Sequence, residues 1–357
     1  MDPVTEPAWR IPDGAGRDLG IGIVGCGGIV RGAHLPAYRA AGLRVVAVHD
    51  ADPERAAELA REAGIPVVAE SVDALVAHPD VAIVDIAVTP QAQPAIAVAA
   101  ARAGRHILCQ KPFALEMAAA KAIVAAADAA GVRCAVNQQM RWDAGIAATR
   151  DLVRRGVLGS VVTAELRVSV HSPWHLWPWL AAEPRLEVFY HSIHYLDAFR
   201  SILGDPETVT ARHGRHPDQG AVRGETRTTT ILGYADGREV LVAVEHTDRH
   251  GPPRAELRVR GTDGAIDGTI GLIADYPDGG PDTLVLHRAG HPPRAFAFDT
   301  RWIPDAFLGP MADLMDAIAT GREPVTSGHD NLRTLAVVLA AYRSAETGRT
   351  VVVAELL

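Results

Sequence analysis

The sequence predicts a two-domain α/β protein, in which a doubly wound parallel sheet precedes an α+β domain with a large, mostly antiparallel open sheet. The first observation is that short apolar runs alternate with helical patterns over residues 20–140. The second is that later strands, such as residues 161–170, alternate strictly between apolar and polar side chains. Continuous apolar runs are typical of parallel strands buried on both faces, whereas alternation is typical of antiparallel strands with one exposed face.

Composition narrows the class of protein. The chain has 357 residues, 48% of them hydrophobic, which is enough for two domains. A net charge of -8 without a Lys/Arg run argues against nucleic acid or an anionic membrane as partner, so a small molecule is the expected ligand. No stretch offers 18 uninterrupted apolar residues for a membrane span. Three cysteines without a C-x-x-C pair predict no metal site and indicate reduced thiols in the cytoplasm.

The first domain is predicted at residues 20–140, after a polar, loose extension over residues 1–19. Asp52 and Pro53 mark the start of one helix, and Ser71 caps a short helix that ends at Ala77. The helix that begins at Pro53 is predicted at 53–63, and the remaining helices are predicted at 92–103 and 115–130. The predicted strands are 21–24, 45–48, 67–68, 82–88, 106–109 and 133–137. Right-handed crossovers between these strands place a ligand at their carboxyl ends.

The second domain is predicted at residues 141–357. Its strand at 161–170 and the alternating valines Val240, Val242 and Val244 leave one polar face for solvent or a partner. Helices are predicted at residues 188–203, ended by Gly204, and at 306–319 and 331–347.

A glycine turn after the first strand indicates a bound dinucleotide. Gly25 allows the tight turn, and Gly27 lets the backbone approach a pyrophosphate at the start of the next helix. Asp50 ends the second strand, where its carboxylate can accept hydrogen bonds from ribose hydroxyls. This acid, followed by Ala51 rather than by an arginine, favours NAD over NADP. The third glycine of the Rossmann fingerprint is replaced by Val30, which keeps the helix further from the strand.

Motifs along nearly the whole chain after residue 19 resemble those of the Gfo/Idh/MocA oxidoreductases, NAD(P)-dependent enzymes that act on sugars, inositols and related polyols. The resemblance implies a dehydrogenase acting on CH-OH groups, and relatives form dimers and tetramers through the second-domain sheet. The motifs are Gly25-Cys26-Gly27-Gly28-Ile29, His34-Leu35-Pro36, Thr89-Pro90, Gln110-Lys111-Pro112, Ser192-Ile193-His194-Tyr195-Leu196-Asp197 and Thr326-Ser327-Gly328.

The resemblance assigns roles to individual residues. Lys111 matches a lysine that polarises the substrate oxygen, and His194 matches the histidine that removes the hydroxyl proton. The family's glutamate before the lysine is Gln110 here, and the family's aspartate one turn before the histidine is Tyr190. The implied cofactor contacts are Gly25, Gly27, Gly28, Ile29, Asp50, Thr89, Pro90, Lys111 and Asn137.

A tryptophan-rich segment and its neighbours are candidates for the substrate pocket. Indole faces stack on sugar rings and histidines bond their hydroxyls, although the same segment fits an interface or core patch equally well. The segment contains His171, Trp174, His175, Trp177 and Trp179. The substrate contacts that we expect are Lys111, Arg141, Trp174, His175, Trp177, His191 and His194.

The leading hypothesis is reversible hydride transfer between NAD and a secondary alcohol of a sugar, polyol or cyclitol, with Lys111, His194 and Tyr190 as the catalytic residues. Because Tyr190 cannot hold His194 as a carboxylate would, two alternatives stay open. One is a redox-neutral lyase, epimerase or glycosidase that uses NAD transiently. The other is a cofactor-binding regulator without catalysis, which the retained Lys111 and His194 disfavour. A homodimer or homotetramer is expected.

Overall fold

The computed structural model describes residues 6–11, 16–274 and 279–357. The chain forms two compact units. The first unit comprises Ile11–Gln139 and Ile303–Leu335, and the second comprises Met1–Arg10, Met140–Trp302 and Ala336–Leu357. Residues 1–5 and 12–15 of the predicted N-terminal extension lie outside the described residues. Within that extension, the Trp9 ring packs edge-on against Phe298 at 5.2 Å between centroids.

The first unit is built on a six-stranded parallel sheet with the order β3-β2-β1-β4-β5-β6, so this half of the predicted fold class is confirmed. The chain reverses direction across the sheet between β1 and β4, and a ligand site is expected at the carboxyl ends of these two strands. The strands are β1 (Ile21–Val24), β2 (Val45–His49), β3 (Val67–Val68), β4 (Ile83–Ile86), β5 (His106–Gln110) and β6 (Cys134–Asn137).

The helices of the first unit begin and end close to the predicted residues. They are α1 (Leu35–Ala40), α2 (Pro53–Ala63), α3 (Val72–Ala77), α4 (Gln93–Arg102) and α5 (Met117–Ala130). Helix α2 has the predicted bounds, because the Asp52 side chain accepts hydrogen bonds from the amides of Glu54 and Arg55 and Gly64 ends the helix at φ 68°. A π-helical turn, Val30–His34, precedes α1 and starts at the buried valine that replaces the third glycine.

The second unit contains a nine-stranded sheet with the order β14-β13-β12-β11-β7-β10-β9-β8-β15. Strands β7 and β10 pair in parallel, and the other recorded pairs are antiparallel, which confirms a mostly antiparallel sheet. The strands are β7 (Val161–Ser169), β8 (Thr208–Gly214), β9 (Arg227–Gly233), β10 (Glu239–Glu245), β11 (Arg254–Gly261), β12 (Gly264–Thr269), β13 (Thr283–Arg288), β14 (Arg294–Ala297) and β15 (Val351–Val352).

Helices of the second unit cover its sheet and carry the candidate catalytic segment. They are α6 (Ala144–Arg154), α7 (Pro178–Ala181), α8 (Ile193–Leu203) and α9 (Gly271–Ala274). The predicted helix at 188–203 is a π-helical turn, Val188–Ser192, followed directly by α8. Among the residues that the structure describes, no helix combines the length and the apolar character that a membrane span requires.

Residues 303–335 return to the first unit. Helix α10 (Leu308–Thr320) contributes Met311, Leu314 and Met315, all fully buried, to the hydrophobic core that contains Ile21 and Ile83. The segment also reaches strand β6, since the amide of Val136 donates to the carbonyl of Thr326 at 2.8 Å. Helix α11 (Gly328–Thr347) then leads back to the second unit. The domain boundary predicted at residue 140 had assigned residues 303–335 to the second domain.

Candidate active site

The glycine turn after β1 has the geometry that a pyrophosphate requires. Gly25 has φ +100°, and a Cβ atom added there would lie 2.4 Å from the carbonyl oxygen of Ala87, so a side chain would not fit. A Cβ at Gly27 or Gly28 would meet no atom of the part of the chain that the structure describes within 4 Å. The turn is therefore closed against the sheet and open on its other side, as expected of a backbone that cradles a dinucleotide.

Asp50 lies beside this turn and fixes it. Its carboxylate accepts the amide of Cys26 at 2.7 Å and the amide of Asp52 at 2.9 Å. The guanidinium of Arg55 approaches the same carboxylate at 3.3 Å. The sequence reasoning considered only Ala51 and missed Arg55, which lies in the first turn of α2. Even so, the glycine turn and the acid fit a bound dinucleotide.

A buried polar network joins the carboxyl ends of β4, β5 and β6. His34 Nδ1 lies 2.7 Å from a carboxylate oxygen of Asp85, which also accepts the hydroxyl of Tyr38 at 2.8 Å. The side-chain amides of Asn137 and Gln110 lie 3.3 and 3.4 Å from His34 Nε2. Because both amide nitrogens donate, Nε2 is the acceptor, and the imidazole proton resides on Nδ1, where it is donated to Asp85.

The sequence analysis did not assign this network. His34 entered only as part of a motif, and Asp85 only as one residue of the predicted strand 82–88. A charged residue in a central parallel strand was the available signal, since a carboxylate buried on both faces of a sheet requires partners. Asp85 is fully buried, and the network supplies a hydroxyl and an imidazole to one of its oxygens.

Lys111 follows β5 in a turn that several hydrogen bonds hold. The Gln110 side-chain oxygen accepts the Lys111 amide at 2.8 Å. The side-chain amide of Gln93 donates to the carbonyls of Gln110, Pro112 and Phe113, at 2.8, 3.1 and 2.9 Å. Burial lowers the pKa of Lys111 to about 7. This amine therefore exchanges a proton near neutral pH, which an ordinary lysine does not do.

Thr89 and Pro90 lie in the turn after β4. The Thr89 carbonyl accepts the amides of Ala92 and Gln93, at 3.0 and 3.1 Å, where α4 begins. Pro90 is buried and Thr89 is exposed. The turn is thus a rigid element at the carboxyl edge of the first-unit sheet, and the contact of these residues with a cofactor stays a prediction.

In the second unit, Tyr190 and His194 lie on the helical run formed by the π turn and α8. His194 is buried, with its ring edge-on to Trp302 at 5.0 Å. The Tyr190 ring lies edge-on to Trp179 at 5.7 Å. Burial, with a smaller contribution from Glu183, raises the pKa of Tyr190 above its usual value. Tyr190 consequently stays a neutral phenol and can donate a hydrogen bond.

The structure places Arg141 in a buried ion pair. Its guanidinium donates two hydrogen bonds of 2.6 Å to Asp197, on α8, and Arg200 approaches the same carboxylate at 3.5 Å. Both partners of the bidentate pair are buried. The sequence analysis expected Arg141 to contact substrate, and it missed this pairing with Asp197.

The tryptophan-rich segment does not form one continuous surface. Trp174 is buried, and its ring lies edge-on to the imidazoles of His191 and His246, at 5.6 and 5.7 Å. His175 and Trp179 are exposed, and Trp177 is partly buried. The fold therefore brings predicted substrate residues Trp174 and His191 together and leaves His175 at the surface.

Both halves of the chain match models of one known protein family. Residues 19–138 match the family model of the Gfo/Idh/MocA oxidoreductase family, NAD-binding Rossmann fold, and residues 150–353 match its C-terminal alpha/beta domain. The chain is 34% identical to a D-apiose dehydrogenase of Paraburkholderia graminis, over 92% of this chain and 88% of the relative. It is 30% identical to a 1,5-anhydro-D-fructose reductase of Ensifer adhaerens, over 92% and 96%.

A solved structure gives the same architecture. An oxidoreductase from Agrobacterium radiobacter in complex with NAD+, L-tartaric acid and magnesium superposes with a TM-score of 0.84. It is 29% identical in sequence, and the match covers 95% of this chain and 100% of that chain.

Proposed function

The chain belongs to the Gfo/Idh/MocA oxidoreductase family, and on this premise we propose that its redox reaction interconverts a secondary alcohol and a carbonyl on a sugar, polyol or cyclitol. It is an NAD-dependent oxidoreductase acting on CH-OH groups. The observation behind the proposed catalytic residues concerns Lys111. This lysine lies at the carboxyl edge of the parallel sheet, and burial lowers its pKa to about 7.

In the proposed mechanism, NAD held at the glycine turn and Asp50 would supply a hydride acceptor for oxidation of the alcohol and, in its reduced form, a hydride donor for reduction of the carbonyl. Lys111 in its ammonium form donates a hydrogen bond to the substrate oxygen, which stabilises the negative charge that develops there. His194 takes the hydroxyl proton during oxidation and gives it back during reduction. Tyr190, a neutral phenol, donates a hydrogen bond that orients the sugar.

The cofactor and substrate contacts are also proposals. Gly25, Gly27, Gly28 and Ile29 would hold the pyrophosphate and Asp50 the ribose, with the remaining contacts nearer the nicotinamide. Those remaining contacts are Thr89, Pro90, Lys111 and Asn137. The substrate residues would be Lys111, Arg141, Trp174, His175, Trp177, His191 and His194.

The direct experiment follows reduced nicotinamide by absorbance while the purified protein is offered NAD with a panel of sugars. D-Apiose and myo-inositol would be tested in oxidation, and 1,5-anhydro-D-fructose with NADH in reduction. Turnover that disappears in His194→Ala supports the proposal. Absence of NAD binding in calorimetry would rule it out.

Tyr190 favours one second candidate, a redox-neutral reaction in which the sugar is oxidised only transiently. A phenol in the place of the family's aspartate changes the proton transfer next to His194. NAD that stays bound through purification, together with product formation and no net NADH, would support this alternative.

We also propose that the protein is a homodimer or homotetramer in the cytoplasm. Ile231 on β9 is 38% exposed. It pairs with Leu241 on β10, which pairs on its other side with Glu165 on β7. These three residues form a mixed apolar and polar sheet face suited to association. Three buried free cysteines agree with a reducing compartment. Ile231→Asp should lower the mass measured by light scattering, and an unchanged mass would remove this face from consideration.

A further inference from the structure

Three side chains of the second unit that are able to bind a metal converge in space. Glu187, His191 and His246 each offer one ligand atom, and these atoms all lie within 4.8 Å of one another. Glu187 and His191 are four residues apart on the helical run, whereas His246 follows β10. No metal site was predicted from the sequence, because its three cysteines form no C-x-x-C pair; the fold brings His246 to Glu187 and His191 from a distant strand.

Glu187 is a fully buried carboxylate whose recorded hydrogen-bond donors are neutral. The Ser192 hydroxyl donates to its two oxygens at 2.8 and 2.9 Å, and the Thr228 hydroxyl donates at 2.5 Å. Its recorded ion pair is with His246 Nε2 at 3.5 Å, which is too long for a strong hydrogen bond. A bound cation would stabilise the ionised form of a carboxyl group in such surroundings.

His246 is oriented as a ligating histidine is. Its Nδ1 lies 2.7 Å from the Ser172 hydroxyl, so one ring nitrogen is already hydrogen-bonded. The other nitrogen, Nε2, is buried, faces Glu187 and has no hydrogen-bond partner among the described residues. In metal sites a hydrogen bond at one imidazole nitrogen fixes the ring and leaves the other nitrogen free to bind the metal.

We propose that Glu187, His191 and His246 bind a divalent transition-metal ion, with Zn²⁺ as the ion to test. Two imidazoles and one carboxylate are a donor set of zinc sites, while Mg²⁺ and Ca²⁺ prefer oxygen ligands. Ser192 and Thr228 orient the carboxylate, Ser172 orients one imidazole, and Trp174 lies edge-on against both imidazoles. Three protein ligands leave at least one coordination position open.

The test uses the full-length protein, treated with a chelator, dialysed, and then equilibrated with Zn²⁺ or Mg²⁺. Bound metal is measured by mass spectrometry and affinity by calorimetry, without reference to enzyme activity. We expect one zinc per chain and no comparable magnesium binding. His246→Asn and Glu187→Gln should weaken zinc binding by more than about 100-fold, and Ser172→Ala, which removes only the outer hydrogen bond, by about 10- to 100-fold.

His287→Asn is the matched control. His287 is a half-buried histidine of the same unit that lies 3.1 Å from a carboxylate oxygen of Asp267, so it reports on adventitious binding at the surface. This variant should retain one zinc per chain. If Glu187→Gln does not fold, as judged by circular dichroism, His246→Asn and Ser172→Ala still decide the result.

Two results would overturn the proposal. The first is a wild-type protein that takes up no stoichiometric zinc. The second is zinc uptake that His246→Asn and Ser172→Ala leave unchanged, which identifies an adventitious ion.

Discussion

The substitution Lys111→Met tests how the titration of one buried amine changes the stability of the folded state with pH. The pKa of Lys111 falls from the usual 10.5 to about 7 because the amine is buried. The unfolded chain, with an ordinary pKa, therefore holds a proton that the folded protein releases above pH 7, so the stability of the folded state rises with pH until about 10.5. Between pH 6 and pH 9 this linkage contributes about 2–3 kcal/mol, on the order of 1.4 kcal/mol per pH unit.

The assay exploits a chain with only two lysines, Lys111 and the exposed Lys121 on α5. Reductive methylation with a ¹³C label gives one NMR signal per lysine, and each signal is followed as a function of pH. Denaturation midpoints at pH 6 and pH 9 give the stability change for wild type, Lys111→Met and the matched control Lys121→Met. Only Lys111→Met should lose the increase of about 2–3 kcal/mol. A Lys111 signal that titrates near 10.5, or an increase that survives in Lys111→Met, would refute the reasoning.

Three further predictions concern single side chains. Desolvation and the neighbouring Asp282 raise the pKa of Asp143, so the folded state becomes less stable as the pH rises above the pKa of this group in the unfolded chain. In thermal melts, Asp143→Asn should be about 1–3 kcal/mol more stable than wild type at pH 8 and equal to it near pH 4. Gln110→Glu places an anion beside Lys111 and should raise its NMR pKa by about one unit or more, whereas an unchanged pKa would mean that the two groups do not interact. Asp50→Ser removes the carboxylate near Arg55 and should shift the NADP-to-NAD ratio of kcat/KM about tenfold towards NADP; a constant ratio would show that Asp50 does not select the cofactor.

Local structure was predictable wherever neighbouring residues determine it. Asp52, Pro53 and Gly64 define both ends of α2, because capping and left-handed glycine geometry act within one turn. Gly25 likewise adopts the positive φ that a tight turn requires. Strand β4 was predicted too long, at residues 82–88 rather than Ile83–Ile86, since an apolar run continues past the last residue that pairs with β1 and β5.

The candidate site was predictable only in part, because its remaining contacts join residues that are far apart in the chain. Tyr190 and His194 follow from one helical motif, but His246 reaches Glu187 only through the pairing of β10 with β7 and β9. Asp197 was predicted only as part of a family motif, whereas it accepts two hydrogen bonds from Arg141, 56 positions earlier. An apolar helix such as α10 does not reveal in its sequence which of two cores it will join.

The return of residues 303–335 to the first unit also constrains when that unit can form during synthesis. Its sheet is complete once residue 137 has emerged from the ribosome, yet Phe307, Met311, Leu314 and Met315 of its core are then still untranslated. A nascent chain of that length exposes the apolar surface that α10 will cover, and it must avoid aggregation until most of the second unit has been made. Chimaeras that exchange the nucleotide-binding half between relatives should accordingly carry both segments, 11–139 and 303–335, from the same parent.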